Sequence, residues 1–196
     1  MNHRFRCQCG TLVGEVAEPH KAIRAVCYCR DCQAYAHFLG KAGVLDELGG
    51  TDVIATQAKY VTITGGKQSL ACASLTEKGL LRWYARCCRT PIANTPRDWR
   101  LPYVGLVHTC LDADGQSLDV DFTKVQMRVN LRSAKGTPPP APPGKLAALL
   151  RFVPPMLLAR VSGAYKRTPF FDNNGSPVVP PQVLTSDERQ RAMSAV

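Results

Sequence analysis

Residues 26–38 read VCYCRDCQAYAHF and place three cysteines, Cys27, Cys29 and Cys32, within six positions. Just before them, KAIRAV (residues 21–26) has the apolar, β-branched character of a strand. Cysteines spaced so closely have three possible roles: a disulfide, a structural metal site, or a site that carries out chemistry. The rest of the chain bears on the choice among these roles.

A short helix is predicted directly after the cysteines. The segment DCQAYAHFLGK begins with Asp31, which can cap the first turn, and reaches Gly40, which can end the helix. The first amide groups of a helix have no partner within it, and they favour negative charge. A position in this first turn would therefore help to keep Cys32 as a thiolate.

The cysteine count argues against a disulfide framework. The chain has nine cysteines, an odd number that cannot all pair within one chain. Its start, MNHRFRCQCG, lacks the apolar segment of a signal peptide, and no later run reaches the roughly 18 apolar residues of a membrane span. We therefore predict a cytoplasmic protein with no membrane span. In that reducing compartment, clustered thiols bind metal or undergo redox chemistry.

Seven of the nine cysteines are clustered, and their spacing suits metal ligands. They are Cys7, Cys9, Cys27, Cys29, Cys32, Cys87 and Cys88. Zinc takes four ligands at tetrahedral angles, and C-x-C and C-x-x-C turns point two sulfurs at one centre. Seven thiolates are too many for one zinc ion and one too few for two four-cysteine sites. We therefore predict Zn²⁺, one or two per chain, with one closed site and one site that keeps an open position.

The spacing also suggests which cysteines belong together. Cys27, Cys29 and Cys32 can share one metal ion, and we call them the three-cysteine group. The others form the four-cysteine group: Cys7, Cys9, Cys87 and Cys88. Two alternatives stay open, a closed structural role for the three-cysteine group and placement of Cys87 at the other metal. Cys72 and Cys110 lie in apolar, strand-like segments and are predicted to be buried as small apolar residues.

Beyond residue 50 the pattern is mainly β. Six short runs alternate or carry β-branched residues and are separated by Gly, Lys or Asp: DVIATQ, KYVTITGG, SLACASL, LLRWYAR, YVGLVHTCL and VQMRVNL. Residues 64–68, TGGKQ, are predicted to form the tip of a hairpin because Gly65 and Gly66 can adopt positive φ. These runs predict a mainly β, antiparallel domain with little helix.

The composition changes near residue 134. We predict a zinc-binding β domain over 1–133, a Pro-rich linker over 134–144 and a C-terminal helical and loop extension over 145–196. Pro154 and Pro155 are expected to divide the apolar part of the extension into two short helices. Such helices can pack on the chain's own core, form a homodimer contact or lie on a membrane interface.

The charge of the chain is unevenly distributed. The net charge is +10, of which residues 1–130 carry +4 and residues 131–196 carry +6. A basic tail can meet nucleic acid, a membrane surface or acidic metabolites. The chain shows no recognition-helix signature and no alternation of aromatic and basic residues typical of single-strand binding. Nucleic acid is therefore an unfavoured but open partner.

The order of the cysteine motifs resembles that of a known family. CQCG, CYCRDC and RCCRTPIAN are similar to motifs of the glutathione-dependent formaldehyde-activating enzyme family, whose domain also occurs in centromere protein V. The resemblance covers residues 3–130. It implies an Mss4-like antiparallel β fold with zinc sites. It also implies a carbon–sulfur lyase that acts on a small thiol, such as glutathione, or on its aldehyde adduct.

The resemblance also implies roles for individual cysteines. The three-cysteine group, Cys27, Cys29 and Cys32, would hold the catalytic zinc ion. Cys7, Cys9 and Cys88 would be ligands of the structural zinc ion.

The chain departs from the family pattern beside Cys88. The family ends its cluster with C-x-x-C-G-T, whereas this chain has Ala85 for the first cysteine and Arg89 for the glycine. Neighbouring residues of a strand point to opposite faces, so Cys87 and Cys88 can share a metal only if residues 86–89 form a turn. Arg89 makes a positive-φ turn there less favourable than glycine would.

Three hypotheses for function follow. The leading one is a zinc enzyme that acts on a small thiol, and the main alternative is a non-catalytic, zinc-stabilised binding module for nucleic acid or protein. A thiol redox or metal sensor is the third. Arg30 and Arg86 could attract the carboxylates of a substrate or be surface charges. His37 could serve the three-cysteine group or be an ordinary helix residue.

Overall fold

A computed structural model of the protein describes residues 2–111, 118–122, 124–140, 143 and 145–196. Residues 141, 142 and 144 of the predicted linker therefore lie outside the described residues. The described part of the chain is mainly β, with two sheets and a few helices, which confirms the predicted fold class.

The elements follow one another closely along the chain. The strands are β1 (His3–Arg6), β2 (Val13–Val16), β3 (Ile23–Cys27), β4 (Thr51–Gln57), β5 (Val61–Gly65), β6 (Leu70–Ser74), β7 (Leu81–Ala85), β8 (Thr90–Thr95), β9 (Tyr103–Val107), β10 (Met127–Val129) and β11 (Gln182–Val183). The helices are α1 (Arg30–Phe38), α2 (His108–Leu111), α3 (Leu118–Asp121), α4 (Lys145–Val161) and α5 (Ser186–Ser194). Short 3-10 turns join several of these elements.

The strands form a small and a large sheet. The small sheet has the order β1-β2-β5 and is antiparallel. The large sheet has the order β10-β3-β4-β9-β8-β7-β6-β11. Its inner pairs are antiparallel, but the edge strands β10 and β11 run parallel to β3 and β6. Cys27, the last residue of β3, is in register with Val129 of β10.

The main core is built around Trp83 of β7. Its indole N–H donates to the hydroxyl of Thr95 at 2.9 Å, which satisfies the only polar atom of the ring. The centroid of the Phe170 ring lies 5.1 Å from that of the Trp83 ring, and the centroid of the Phe171 ring lies 6.2 Å from it. Phe5 of the small sheet is buried in the same cluster. Both sheets and the C-terminal part of the chain therefore share one core.

Helix α1 packs between the large sheet and helix α5. Tyr35 is buried and its hydroxyl donates to the carbonyl of Trp83 at 3.4 Å. On the other side, Ala34 packs in a cluster with Ala192 of α5. Helix α5 begins with a capping box, in which Thr185 and Glu188 satisfy each other's amide groups. Helix α1 therefore has a fixed position on the sheet.

The predicted hairpin at TGGKQ is wrong. Strand β5 pairs with β2 in the small sheet, whereas β6 pairs with β7 in the large one, so the glycines join two sheets. Gly66 does adopt a positive φ of 66°. A Cβ atom there would lie 1.9 Å from the carbonyl oxygen of Thr11. The glycine therefore allows the close approach of two backbones at the crossing, as well as the turn.

The predicted break at Pro154 and Pro155 is also wrong. Helix α4 continues from Lys145 to Val161 with both prolines inside it. The fixed φ of proline is close to the helical value, and each ring costs the helix the hydrogen bond to the carbonyl four residues earlier. Those carbonyls belong to Leu150 and Arg151, which are exposed residues where water can replace the lost donors.

Two of the positive-φ glycines, Gly66 and Gly40, provide a matched test of the close backbone approach at Gly66. Gly40→Ala places its Cβ in open space, so it should cost only about 1–2 kcal/mol of unfolding free energy for the left-handed backbone. Gly66→Ala adds the clash with Thr11 and should cost more than about 3 kcal/mol. Denaturant titration of both variants measures the difference. Equal losses would contradict the proposed close approach.

Candidate metal centres

The three-cysteine group lies where β3 ends and α1 begins. The amide of Tyr28 donates to the carbonyl of Val129 at 3.1 Å and holds this junction against β10. Cys29 is extended, with φ −66° and ψ 145°, and its sulfur accepts the amide of Cys32 at 3.4 Å. Cys29, and not the predicted Asp31, is therefore the N-cap of α1. The sulfur of Cys29 accepts the hydrogen bond that the Asp31 carboxylate was expected to accept. The helix therefore begins at Arg30, before the predicted start.

The resulting geometry brings three sulfurs together. The Sγ atoms of Cys27, Cys29 and Cys32 all lie within 4.8 Å of one another, and those of Cys27 and Cys32 are 3.9 Å apart. In a tetrahedral site with Zn–S distances near 2.3 Å, sulfurs are about 3.8 Å apart. The group could therefore hold a metal ion.

A buried arginine lies beside this group. Arg82 of β7 is only 2% exposed, and its Nη1 lies 3.7 Å from the sulfur of Cys32. The same nitrogen donates to Oδ1 of Asn94 at 3.2 Å, and the guanidinium lies over the ring of Tyr35. Among the described residues no carboxylate forms an ion pair with Arg82. A buried cation needs a negative partner, and sulfur is the one available.

The electrostatics of the three thiols favour a bound cation. Hydrogen bonds from Cys29 and Cys32 lower the pKa of Cys27 to about 2. The contacts with Cys27 and Cys32 in turn raise the pKa of Cys29, so the group gives up one proton easily and the next with difficulty. Three thiolates with one divalent ion would carry one net negative charge, which Arg82 would balance. The donor set and its surroundings therefore fit zinc.

The opposite side of the three-cysteine group is closer to solvent. Cys27 and Cys29 are half-buried, and the side-chain amide of Asn130 donates to the sulfur of Cys27 at 3.3 Å. Asn130 is exposed and follows β10 in a left-handed conformation, with φ 58°. Charged and amide donors thus contact the sulfurs from two sides, as is common around metal-bound thiolates.

The four-cysteine group joins the tips of two hairpins. Cys7 and Cys9 lie between β1 and β2, and Cys87 and Cys88 lie between β7 and β8. Their sulfurs all lie within 4.8 Å of one another, and four of the pairs measure 3.3, 3.5, 3.8 and 3.9 Å. These distances match the edges of a ZnS₄ tetrahedron rather than an S–S bond near 2.05 Å. This group could also hold a metal ion, and it would link the small sheet to the large one.

The backbone around Cys7 is arranged to support its sulfur. The amide of Leu12 donates to the sulfur of Cys7 at 3.3 Å, and the amide of Cys7 donates to the carbonyl of Leu12 at 2.9 Å. Gly10 adopts a φ of 76°, which lets the C-x-C segment fold back. Hydrogen bonds from the hydroxyl and the amide of Thr11 lower the pKa of Cys9 to about 6.

Residues 86–89 form the turn that Cys87 and Cys88 require in order to share a metal ion. Arg89 adopts a positive φ of 56°, the conformation for which glycine was expected. Its guanidinium donates to the carbonyls of Phe38 and Leu39 at 2.5 and 3.1 Å. These contacts at the end of α1 compensate for the unfavourable backbone of Arg89. Cys87 therefore lies with the four-cysteine group, and the alternative placement at the other group is wrong.

The structure divides the seven clustered cysteines as the spacing predicted, while their role as ligands stays a prediction. Cys72 and Cys110 are buried away from both groups, but Cys110 lies in helix α2 and not in a strand. Within YVGLVHTCL, strand β9 ends at Val107 and helix α2 begins at His108.

The other candidates do not contact the cysteine sulfurs. Arg30 is exposed and lines a cleft beside α5. Arg86 donates to the carbonyl of Leu70 at 3.3 Å. His37 lies at the far end of α1 from the three-cysteine group, in a cleft with Glu188. Arg82 was not among the predicted site residues, although a charged residue within the apolar run LLRWYAR is a signal for a buried cation with a dedicated partner.

Replacing Arg82 should weaken metal binding at the neighbouring group alone. Arg82→Gln removes the charge beside Cys32 and should lower the zinc affinity of the three-cysteine group about 10–100-fold. In chelator competition, the variant should release one zinc ion at a lower chelator concentration than the wild type does. The second zinc ion should be released at the same concentration in both proteins. Arg97→Gln is the control, because Arg97 donates to the carbonyls of Gly79 and Thr76 and contacts neither group. Arg82→Lys keeps the charge and should restore most of the affinity.

Unchanged zinc release in the folded Arg82→Gln variant would contradict this role. A thermal melt of each variant shows whether the chain has folded. If Arg82→Gln does not fold, Arg82→Lys tests the charge alone, because it lacks the planar guanidinium but should still bind zinc within a few-fold of the wild type; a loss as large as that expected for Arg82→Gln would contradict the role of the charge.

Comparison with known proteins gives a family but no activity. No curated protein matches the sequence. Among solved structures, the chain is similar to the crystal structure of a Rhodobacter sphaeroides protein at 16% identity and a TM-score of 0.44, over 64% of this chain and 99% of that one. The formaldehyde-activating family is not shown by these comparisons. A family model described as "Family of unknown function (DUF6151)" matches residues 3–179, and the chain therefore belongs to that family.

Proposed function

We propose that the protein is a zinc-dependent enzyme that acts on a small thiol at the three-cysteine group. The observation that carries this proposal is the difference between the two groups. The four-cysteine group supplies a complete tetrahedral set, whereas the three-cysteine group has no fourth cysteine, histidine or carboxylate ligand among the described residues. A zinc site with three protein ligands keeps a position for substrate. A cytoplasmic location would keep the thiols reduced.

The charge of the site favours a sulfur ligand over water. Zinc held there would bind the sulfur of a small thiol at its open position and keep that sulfur ionised near neutral pH. Three thiolates already donate strongly to such an ion, so its power to ionise water is reduced. Arg82 compensates the negative charge of the sulfurs from the buried side, and Asn130 donates to Cys27 from the side nearer to solvent.

The reaction class that we propose is the making or breaking of a carbon–sulfur bond. In the forward direction the thiol sulfur attacks the carbonyl carbon of an aldehyde. A carbon–sulfur bond forms, the carbon–oxygen double bond becomes single, and its oxygen takes up the proton that the thiol gave up. The lyase direction is the reverse of this step, and neither direction requires an oxidant or a reductant.

A small space beside the three-cysteine group and a larger open cavity share part of their lining. A space of about one water molecule lies against Cys32 and Arg82, with Val44 and Pro91 in its walls. The same two residues line a larger, open cavity of about 360 Å³, a size typical of small-molecule sites. Lys41 and Arg6 also line the larger cavity. Cations there would attract the carboxylates of a substrate such as glutathione.

Zinc content and thermal stability should respond differently to the loss of a cysteine from each group. In the reduced protein, Cys29→Ser should lower the zinc content from about two ions per chain to about one and leave the fold intact. Cys9→Ser should also remove about one ion, but it should lower the unfolding temperature because it loosens the link between the two sheets. Cys72→Ala, outside both groups, is the control and should retain both ions. Elemental analysis and thermal melts measure these outcomes.

Thiol binding then distinguishes the enzyme from the alternative, a non-catalytic, zinc-stabilised module for nucleic acid or protein. In the cobalt-substituted protein, glutathione should change the sulfur-to-cobalt absorption bands, and Cys29→Ser should abolish that change. An unchanged spectrum at millimolar glutathione would reject a thiol substrate and favour the module. With glutathione and formaldehyde present, NMR should show faster adduct formation with the wild type than with Cys29→Ser.

A further inference from the structure

Helix α4 presents an apolar surface that no described residue covers. We call this surface the outer face of α4: Leu146, Leu149, Leu150, Val153, Leu157, Leu158 and Val161. All seven side chains are exposed, from 36% for Leu149 to 87% for Val161. Their spacing of three and four residues places them on one side of the helix. Exposed apolar surface of this extent marks a place of interaction.

The opposite side of α4 is attached to the large sheet. Ala148 is buried in a small cluster with Ile23 of β3 and Ala55 of β4, and Phe152 packs against it. The guanidinium of Arg151 donates to the carbonyl of Ala22 at 3.4 Å. The helix is therefore held in place while its outer face stays free for another partner.

The charged residues in the chain segment that contains this helix are all of one sign. Residues 122–171 contain nine lysines and arginines and no aspartate or glutamate. The rest of the chain carries sixteen basic and fifteen acidic residues, so nearly all of the net charge of +10 lies in this stretch. Arg160, Lys166 and Arg167 are exposed at or just beyond the end of α4. The apolar outer face thus belongs to a chain segment whose charged residues are all cations.

We infer that the outer face of α4 binds an anionic lipid surface, with the helix lying in the interface. A leucine-rich face inserts among acyl chains while adjacent cations meet acidic headgroups. None of the helices among the described residues is both long enough and apolar enough to span a bilayer. The prolines at 154 and 155 are compatible with this position, because the carbonyls they leave free can be hydrated at the interface.

The same observations disfavour the other occupants. Two copies joined through their outer faces would bring two strongly basic stretches together, and like charges repel across an interface. Nucleic acid would satisfy the cations but would leave the leucines uncovered. A lipid surface matches both the charge and the apolar area. This inference is independent of the proposed enzymatic function.

Vesicle flotation tests the inference on the full chain. The wild type should float with vesicles of phosphatidylcholine and phosphatidylserine, bind vesicles of phosphatidylcholine alone at least tenfold more weakly, and be released by salt. The double variant L150Q/L157Q should lose binding at least tenfold. Both substitutions are at exposed positions, so unchanged thermal melts should show that the variant is folded.

Matched controls separate the apolar and the charged contributions. Leu80→Gln removes an exposed leucine that is distant in sequence from α4, and this variant should bind vesicles as the wild type does. The double variant R160Q/K166Q should weaken binding to anionic vesicles about 25-fold, since each cation near the surface is worth roughly fivefold. Lys78→Gln, an exposed cation outside the basic stretch, should have no effect.

Three results would overturn the inference. Absence of vesicle binding is the first. The second is a concentration-dependent dimer in light scattering that L150Q/L157Q dissociates, which would assign the face to a second copy. The third is salt-sensitive retention on DNA, equal in wild type and L150Q/L157Q and without vesicle binding, which would assign the basic stretch to nucleic acid. Cys29→Ser should bind vesicles normally, so failure of the proposed enzyme leaves this test unaffected.

Discussion

Helix α1 is held at its start by a residue of the three-cysteine group and at its end by a residue next to the four-cysteine group. The arrangement of the candidate site depends on this constraint. At its start, the sulfur of Cys29 caps the helix and accepts the amide of Cys32. At its end, Arg89, which follows the four-cysteine group, donates to the last carbonyls. A change at one cysteine group can therefore shift helix α1, and with it the residues of the other group. Under the proposed function, a metal ion held by the four-cysteine group would in this way support the three-cysteine group without contacting a substrate.

The buried charge of Arg82 is the second constraint on the candidate site. Arg82 lies in the interior without a carboxylate, so the sulfurs of the three-cysteine group supply the negative partner. This arrangement disfavours a neutral, fully protonated group of thiols, because the arginine would then remain uncompensated in a medium of low dielectric. The pairing of a buried cation with three sulfurs suits a site that could hold a divalent ion. Arg160, Lys166 and Arg167, by contrast, lie at the surface, where their charges can meet a partner.

Much of the site could be predicted because metal ligation depends on local spacing. The C-x-C and C-x-x-C patterns confine sulfurs to one turn, and the structure brings them together as expected. The mainly β fold was likewise predictable from short, β-branched runs. Three features were not. The crossing at Gly66 depends on which distant strand completes each sheet, the continuity of α4 depends on the solvent exposure of Leu150 and Arg151, and the cap of α1 depends on the competition between Cys29 and Asp31.

The amino-acid order alone was enough to identify the candidate metal ligands, the mainly β fold and the region where the charge is concentrated. These properties depend on residue type and on neighbours a few positions away. Three further features needed the folded structure: Cys87 lies with the four-cysteine group, Arg82 contacts Cys32, and the leucines of α4 are exposed. Each of these depends on contacts between residues dozens of positions apart, or on which side of a helix is covered. Spacing along the chain carries no information about either.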